Sequence, residues 1–280
     1  MGFQGQTVWI TGASSGIGAA LAKAFGAKGA KLILSGRRED ALKEVAAEAG
    51  ADHLILPFEA TDFAALPAIA QQAEAWQGGV DVLINNAGIS QRSLALDTDF
   101  SVYQKMMDVD FLAPVRLTQL VLPGMVERGA GHIAIISSVA GKVGVPLRTG
   151  YCAAKHACCG YYDALRAEVE TAYGIKVSVI LPGSVQSAIA SNALTGSGDV
   201  RGTSDANIDN GLPAEEAAAR IVAGMEAGER EIPVAEGMEA AALQMRAANP
   251  EGVFQITAEQ GRVLAEARAK GEAVEPPNTQ

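Results

Sequence analysis

Residues 7–28 read TVWITGASSGIGAALAKAFGAK. Thr7–Ile10 is a short apolar run, Gly12, Gly16 and Gly18 punctuate the next eight residues, and an alanine-rich stretch without proline follows. That order predicts a buried strand, a tight turn and a helix. Gly12 permits the sharp bend. Gly16 and Gly18 leave out side chains where another group must approach the backbone. Ser14, Ser15 and Ile17 complete the turn. Unpaired N–H groups and the dipole at a helix start attract anions, so the turn suits a dinucleotide pyrophosphate. The glycines are spaced Gly-x3-Gly-x-Gly rather than Gly-x-Gly-x2-Gly, and an ordinary strand-to-helix turn would also use structural glycines.

The same alternation runs along the chain. Strands are expected at Thr7–Ile10, Lys31–Ser35, His53–Phe58, Val80–Asn85, His132–Ser137, Lys176–Leu181 and Glu231–Val234. Most are dense in Val, Ile and Leu, as strands covered on both faces should be. Helices are expected at Gly16–Lys28, Glu39–Ala49, Asp62–Trp76, Phe100–Arg128, Gly150–Tyr173 and Ala214–Ala227. Repeated βαβ units of this kind imply an α/β fold: a single Rossmann-type, doubly wound parallel sheet with helices on both faces. The stretch 191–211, SNALTGSGDVRGTSDANIDNG, has loop composition and reads as a lid or a disordered segment. Residues 1–250 are expected to form the dinucleotide-binding catalytic domain, with a substrate loop at 188–213. Residues 251–280 are expected to be a helical extension whose end, 275–280, frays.

Bulk properties narrow the partners. With 280 residues and 49% hydrophobic residues the chain can bury a large core. Its net charge of −10 repels phosphate backbones, so no nucleic-acid partner is expected. Cys152, Cys158 and Cys159 form no CxxC or Cys/His cluster, so no metal site is expected, and a reducing compartment is the simpler reading. No basic leader with an apolar segment opens the chain, and no apolar run of about 18 residues is evident, so the expectation is a cytoplasmic protein without a membrane span.

The second strand ends in Gly36-Arg37-Arg38-Glu39. An acid at this strand tip would hold the ribose 2′-OH of NAD. Gly36 stands there instead, followed by guanidinium groups suited to a 2′-phosphate, so NADP(H) is preferred over NAD(H). In the other reading Arg37 and Arg38 are solvated and Glu39 takes the ribose.

Ser138 follows the apolar run Ile133–Ile136, at the carboxyl end of a strand, where ligands bind in doubly wound sheets. Tyr151 and Lys155 stand one helical turn apart and share a helix face. A free tyrosine titrates near 10, too high for easy proton exchange at neutral pH. A neighbouring ammonium stabilises the phenolate, and a serine hydroxyl can then hold the substrate oxygen.

With TGASSGIG at 11–18, NNAG at 85–88, ISS at 136–138, YCAAK at 151–155 and PG at 182–183, the chain resembles the short-chain dehydrogenase/reductase family from about Thr7 to Val234. The resemblance implies hydride transfer between a nicotinamide cofactor and a small-molecule carbonyl or secondary alcohol. By the same resemblance Ser138 polarises the substrate oxygen, and Tyr151 is the general acid in reduction and the base in oxidation. Lys155 holds the nicotinamide ribose and supports the tyrosinate. Asn86, with Ala87 and Gly88, lies beside the adenosine ribose, Glu59 and Ala60 contact adenine, and Val185 after Pro182-Gly183 meets the carboxamide. A homodimer or homotetramer is implied, paired through the helices Phe100–Arg128 and Gly150–Tyr173. Two positions depart from the pattern: Asp110 stands where the family carries a catalytic-site asparagine, and Ser187 stands where it usually carries a threonine, which keeps the hydroxyl. Two alternatives use related folds, a non-catalytic redox regulator that binds the nucleotide, and a nucleotide-sugar epimerase or dehydratase. The first would not need the full Ser138, Tyr151 and Lys155 set. The second usually carries a longer sugar-binding C-terminal domain.

Overall fold

The computed structural model describes residues 2–274. In chain order the elements are β1 (Thr7–Thr11), α1 (Gly16–Ala27), β2 (Lys31–Ser35), α2 (Glu39–Ala49), β3 (His53–Ile55), α3 (Leu66–Ala75), β4 (Val82–Asn85), α4 (Phe100–Met107), α5 (Ala113–Arg128), β5 (Gly131–Ile136), α6 (Thr149–Tyr173), β6 (Ile175–Pro182), α7 (Ala206–Asp209), α8 (Ala214–Ala227), β7 (Glu231–Val234), α9 (Gly237–Ala248) and α10 (Pro250–Ala269). The sheet order is β3-β2-β1-β4-β5-β6-β7, and every pairing is parallel. The doubly wound α/β sheet expected from the sequence is present. The order reverses between β1 and β4, so a crevice opens at the carboxyl ends of those strands.

Strand alternation divides the core. Val8 and Ile10 of β1 face α1, α2 and α8, packing with Leu21, Phe25, Leu42 and Ile221. Trp9 faces the other way, toward α3, α5 and α6, with Leu66, Val121 and Tyr162. Both faces of the sheet are thus dry, which is why β1 is buried at all five positions.

The differences from expectation are local and have causes. The helix expected from Asp62 begins at Leu66, because Asp62 caps a turn by accepting from the Ala65 amide at 3.2 Å and Pro67 stands at the helix start. The stretch Phe100–Arg128 is continuous but changes register at a π-helical turn, Asp108–Leu112, between α4 and α5. By length and composition this stretch could cross a membrane, which corrects the reading that no such apolar run exists. In the fold its Val102, Met106, Leu117, Val121 and Met125 are buried.

Segment 191–211 is an ordered wall. Leu194 is buried, its amide donates to Ser90 O at 2.8 Å, and its carbonyl accepts from Arg92 N at 2.9 Å. Asp205 opens the short helix α7. After β7, α9 and α10 fold back over the crevice. Val253 of α10 packs with Val139 and Val143, and Arg268 pairs with Asp97 at 2.6 Å. The expected fraying of 275–280 lies outside the described residues.

Candidate active site

The glycine turn is locked from beneath. Thr11 Oγ1 accepts from the amides of Asn86 (3.0 Å) and Ala87 (3.1 Å), and Asn86 Nδ2 donates to Thr11 O (2.9 Å) and Gly12 O (3.1 Å). A Cβ on Gly12 would stand 2.8 Å from Ala87 Cα, and one on Gly18 would stand 2.3 Å from Gly12 O. Gly12 and Gly16 are both left-handed, at φ 63° and 55°. Ser15 caps α1 without a side-chain hydrogen bond, so the first-turn amides have no side-chain acceptor there. A helix start of this kind, opening on a cleft, fits a pyrophosphate.

The cleft has a volume of about 1690 Å³. Gly12, Ser14, Ser15, Gly16, Ile17, Arg37, Arg38, Glu59, Ala60, Asn86, Ala87 and Gly88 line one half, and Ser138, Tyr151, Lys155, Pro182, Gly183 and Val185 the other. Of the expected site residues, Gly18 and Asp110 do not line it. Gly18 packs beneath the turn, and Asp110 lies behind Lys155. At the tip of β2, Arg38 Nη2 is 3.3 Å from Ser14 Oγ. Arg37 is exposed, 3.8 Å from Glu59. Glu39 pairs with Lys43 at 2.7 Å on α2 and does not line the cleft.

Ser138 ends the β5 segment. Its Oγ accepts from Ala140 N (3.1 Å) and donates to Pro182 O (3.3 Å), which fixes the hydroxyl between the tips of β5 and β6. Tyr151 lies in the first turn of α6, and Lys155 one turn on. The buried Lys155 Nζ donates to Ile136 O at 3.1 Å and lies 5.6 Å from the Tyr151 ring.

Asp110 is fully buried. The π turn adds a residue to the helix and turns this carboxylate toward the cleft floor. The freed Asp110 carbonyl accepts from Cys158 Sγ at 3.1 Å. Oδ1 accepts from Ile89 N at 2.8 Å. Oδ2 lies 3.5 Å from Lys155 Nζ and has no closer polar partner among the described residues, so the contact is an ion pair at the edge of hydrogen-bonding distance. Burial raises the Asp110 carboxyl above the usual carboxylate range, against the pull of Lys155. Burial is the largest single effect on Lys155 and works against its ammonium, but Asp110, Tyr151 and Cys158 together outweigh it and hold Lys155 above its ordinary value. The neighbouring Cys158 thiol is pushed up to about 12 by burial, so it packs as a neutral group. The three cysteines are free, and no cluster among the described residues could hold a metal.

Three features escape sequence reading. Glu239 of α9 accepts from Ser184 N (2.6 Å) and Ser184 Oγ (2.9 Å), clamping the loop that follows Pro182-Gly183. Asp205 pairs with Arg92 at 2.6 Å, across more than a hundred residues. Arg148, three residues before Tyr151, lines the cleft 3.6 Å from the same carboxylate. Only the position of Arg148 beside Tyr151 was visible in the sequence.

Residues 6–197 match the family model for short chain dehydrogenase. The chain belongs to the short-chain dehydrogenase/reductase family. It is 38% identical over 268 residues to Dehydrogenase/reductase SDR family member 7B of Danio rerio, covering 92% of this chain and 86% of that one. Its fold is similar to that of a short chain dehydrogenase/reductase from Burkholderia phymatum in complex with NAD (TM-score 0.78, 22% identity, all of both chains). It is also similar to a short-chain dehydrogenase from Sphingobium yanoikuyae in complex with NADPH (TM-score 0.74, 26% identity, 89% and 94% of the two chains). As a member of this family the chain is an oxidoreductase.

Proposed function

We propose that this protein transfers hydride between NADP(H) and a carbonyl or secondary-alcohol substrate, with Tyr151 as general acid and base. The observation that carries the reading is one cleft lined at one end by the glycine turn and at the other by Ser138, Tyr151 and Lys155. Bound NADPH would supply the hydride. The first-turn amides of α1 would hold its pyrophosphate, and Arg37, Arg38 and Ser14 would surround a 2′-phosphate beyond Gly36. An acid in the place of Gly36 would repel that phosphate, and Glu39 is occupied by Lys43.

Ser138 Oγ, anchored at two points, orients the carbonyl oxygen. The Tyr151 hydroxyl gives that oxygen its proton in reduction and takes it back in oxidation. Lys155 supports the phenolate electrostatically and would bind the nicotinamide ribose. Asp110 acts as a positioning residue through Lys155. The exposed Leu112 and Tyr173, beside α5 and at the end of α6, support pairing of copies through these helices as a homodimer or homotetramer.

The test is loss of NADPH absorbance over a panel of ketones, aldehydes and quinones, repeated with NADH. Tyr151→Phe should abolish turnover and keep NADPH affinity nearly intact, since only the proton donor is lost. Full activity in that variant would sink the mechanism. NADPH binding without turnover of any substrate would favour the regulator instead.

A further inference from the structure

Among the described residues, the cleft wall beside Tyr151 gathers Arg92 and Arg148 around one carboxylate, Asp205. Asp205 is buried and anchors it. Arg92 is held by four contacts: Nε and Nη2 reach Asp205 Oδ2 at 2.7 and 2.6 Å, and Nη1 donates to Ser90 Oγ (2.7 Å) and Gln91 O (2.8 Å). Arg201 also bonds Asp205, through Oδ1. This pairing by itself fastens the 191–211 segment to the strand β4 loop. Arg148 is the outermost of these cations and forms an ion pair without a hydrogen bond to the carboxylate. Its nearest carboxylate oxygen, 3.6 Å away, already takes two short contacts from Arg92.

Arg148 is nevertheless largely buried, its side chain 18% exposed, and no acceptor among the described residues lies within hydrogen-bonding distance of its guanidinium. Its unbonded donors are open to the cleft and not sealed in the core, so an oxyanion bound there can take them. Burial, followed by the charge of Arg148, lowers Arg92 to about 10, so the two cations feel each other across the wall.

We infer that Arg148, backed by Arg92, is an oxyanion subsite beside Tyr151, and that the substrate is a carbonyl compound that also carries a carboxylate or phosphate group. A planar guanidinium lining the cleft binds either oxyanion through paired hydrogen bonds. Val143, Val145, Pro146 and Leu194 line the same end of the cleft and suit the apolar remainder of such a molecule. The inference rests on the proposed hydride transfer for the word carbonyl, and on the geometry alone for the word anion.

The test separates these. Binding to the NADPH complex is measured with benzoate and phenyl phosphate against neutral benzamide, in the parent protein and in Arg148→Gln and Arg148→Lys. Turnover is measured with benzoylformate against its methyl ester, and phenacyl phosphate against 2-hydroxyacetophenone. One charged probe should bind at least about 10-fold more tightly than benzamide, the scale of a hydrogen bond to a charged group. Which one does so identifies carboxylate or phosphate. Arg148→Gln should erase that preference and Arg148→Lys keep part of it, and the preference in kcat/KM should follow. Equal binding of charged and neutral probes by the parent protein overturns the subsite. A preference that survives Arg148→Gln overturns the role of Arg148. Charge-selective binding lost in Arg148→Gln, with no ketone turned over, would sink the reductase reading and leave the subsite standing.

Discussion

Asp110→Asn restores the residue that the family carries, and the structure fixes what should follow. Lys155 Nζ is 5.6 Å from the centre of the Tyr151 ring. At an effective dielectric near 20, a unit charge pair at that distance is worth about 3 kcal/mol, in favour of the phenolate. Asp110 Oδ2 is 3.5 Å from Nζ, so it is at most about 9.1 Å from the ring centre. An ionised carboxylate there opposes the phenolate by about 1.8 kcal/mol or more. The carboxylate thus cancels over half of what the lysine supplies. The asparagine can still accept from Ile89 N, and Lys155 keeps Ile136 O, so the local geometry survives. The ascending limb of the pH–rate profile for alcohol oxidation, where the base loses its proton, should move down by about one pH unit, since one unit corresponds to 1.36 kcal/mol. The assay is kcat/KM for a secondary alcohol with NADP from pH 6 to 10, with urea unfolding as a check on the fold. Superimposable profiles would refute the reasoning, because they would mean that Asp110 is neutral in the working enzyme.

Arg38→Ala and Arg37→Ala should each weaken NADPH binding by about 10-fold or more and leave NADH nearly unchanged, judged by fluorescence titration, because a charge-assisted hydrogen bond is at stake. Equal loss for both cofactors would remove these residues from phosphate recognition. Gly18→Ala should destabilise the fold by about 1–3 kcal/mol despite the better helix former, since its Cβ would meet Gly12 O at 2.3 Å; urea melts check this, and an unchanged midpoint would contradict the packing argument. His132 is buried, with Ser178 Oγ 2.9 Å from Nε2, and burial lowers it from the ordinary 6.5 to about 4. The unfolded chain therefore takes up its proton first as pH falls, and stability should drop by up to about 3 kcal/mol between pH 6.5 and 4. In His132→Gln that part of the pH slope should vanish.

The sequence by itself determined the sheet and the floor of the site, because local rules suffice there. Apolar runs of strand length, glycines between a strand and a helix, and a tyrosine and lysine one turn apart each act over a few residues. β1, α1, β2, α2, β7 and α8 accordingly stand within two residues of where the pattern puts them, and Ser138, Tyr151 and Lys155 meet in one cleft. The departure at Asp110 was legible as a residue type, but its contact with Lys155 depends on a π turn that no periodicity announces. Tertiary structure alone decided the rest. The 191–211 segment has the composition of a loose loop and is ordered by a buried carboxylate meeting Arg92, 113 residues away in the chain. The same meeting leaves Arg148 at the cleft wall, 3.6 Å from the carboxylate that Arg92 already occupies. Glu239 reaches Ser184 only because α9 folds back over the strand ends. A buried charge is tolerable only when the whole fold brings it a partner, so the pairings that shape the substrate side of this cleft depend on where distant segments come together and not on the residues beside them in sequence.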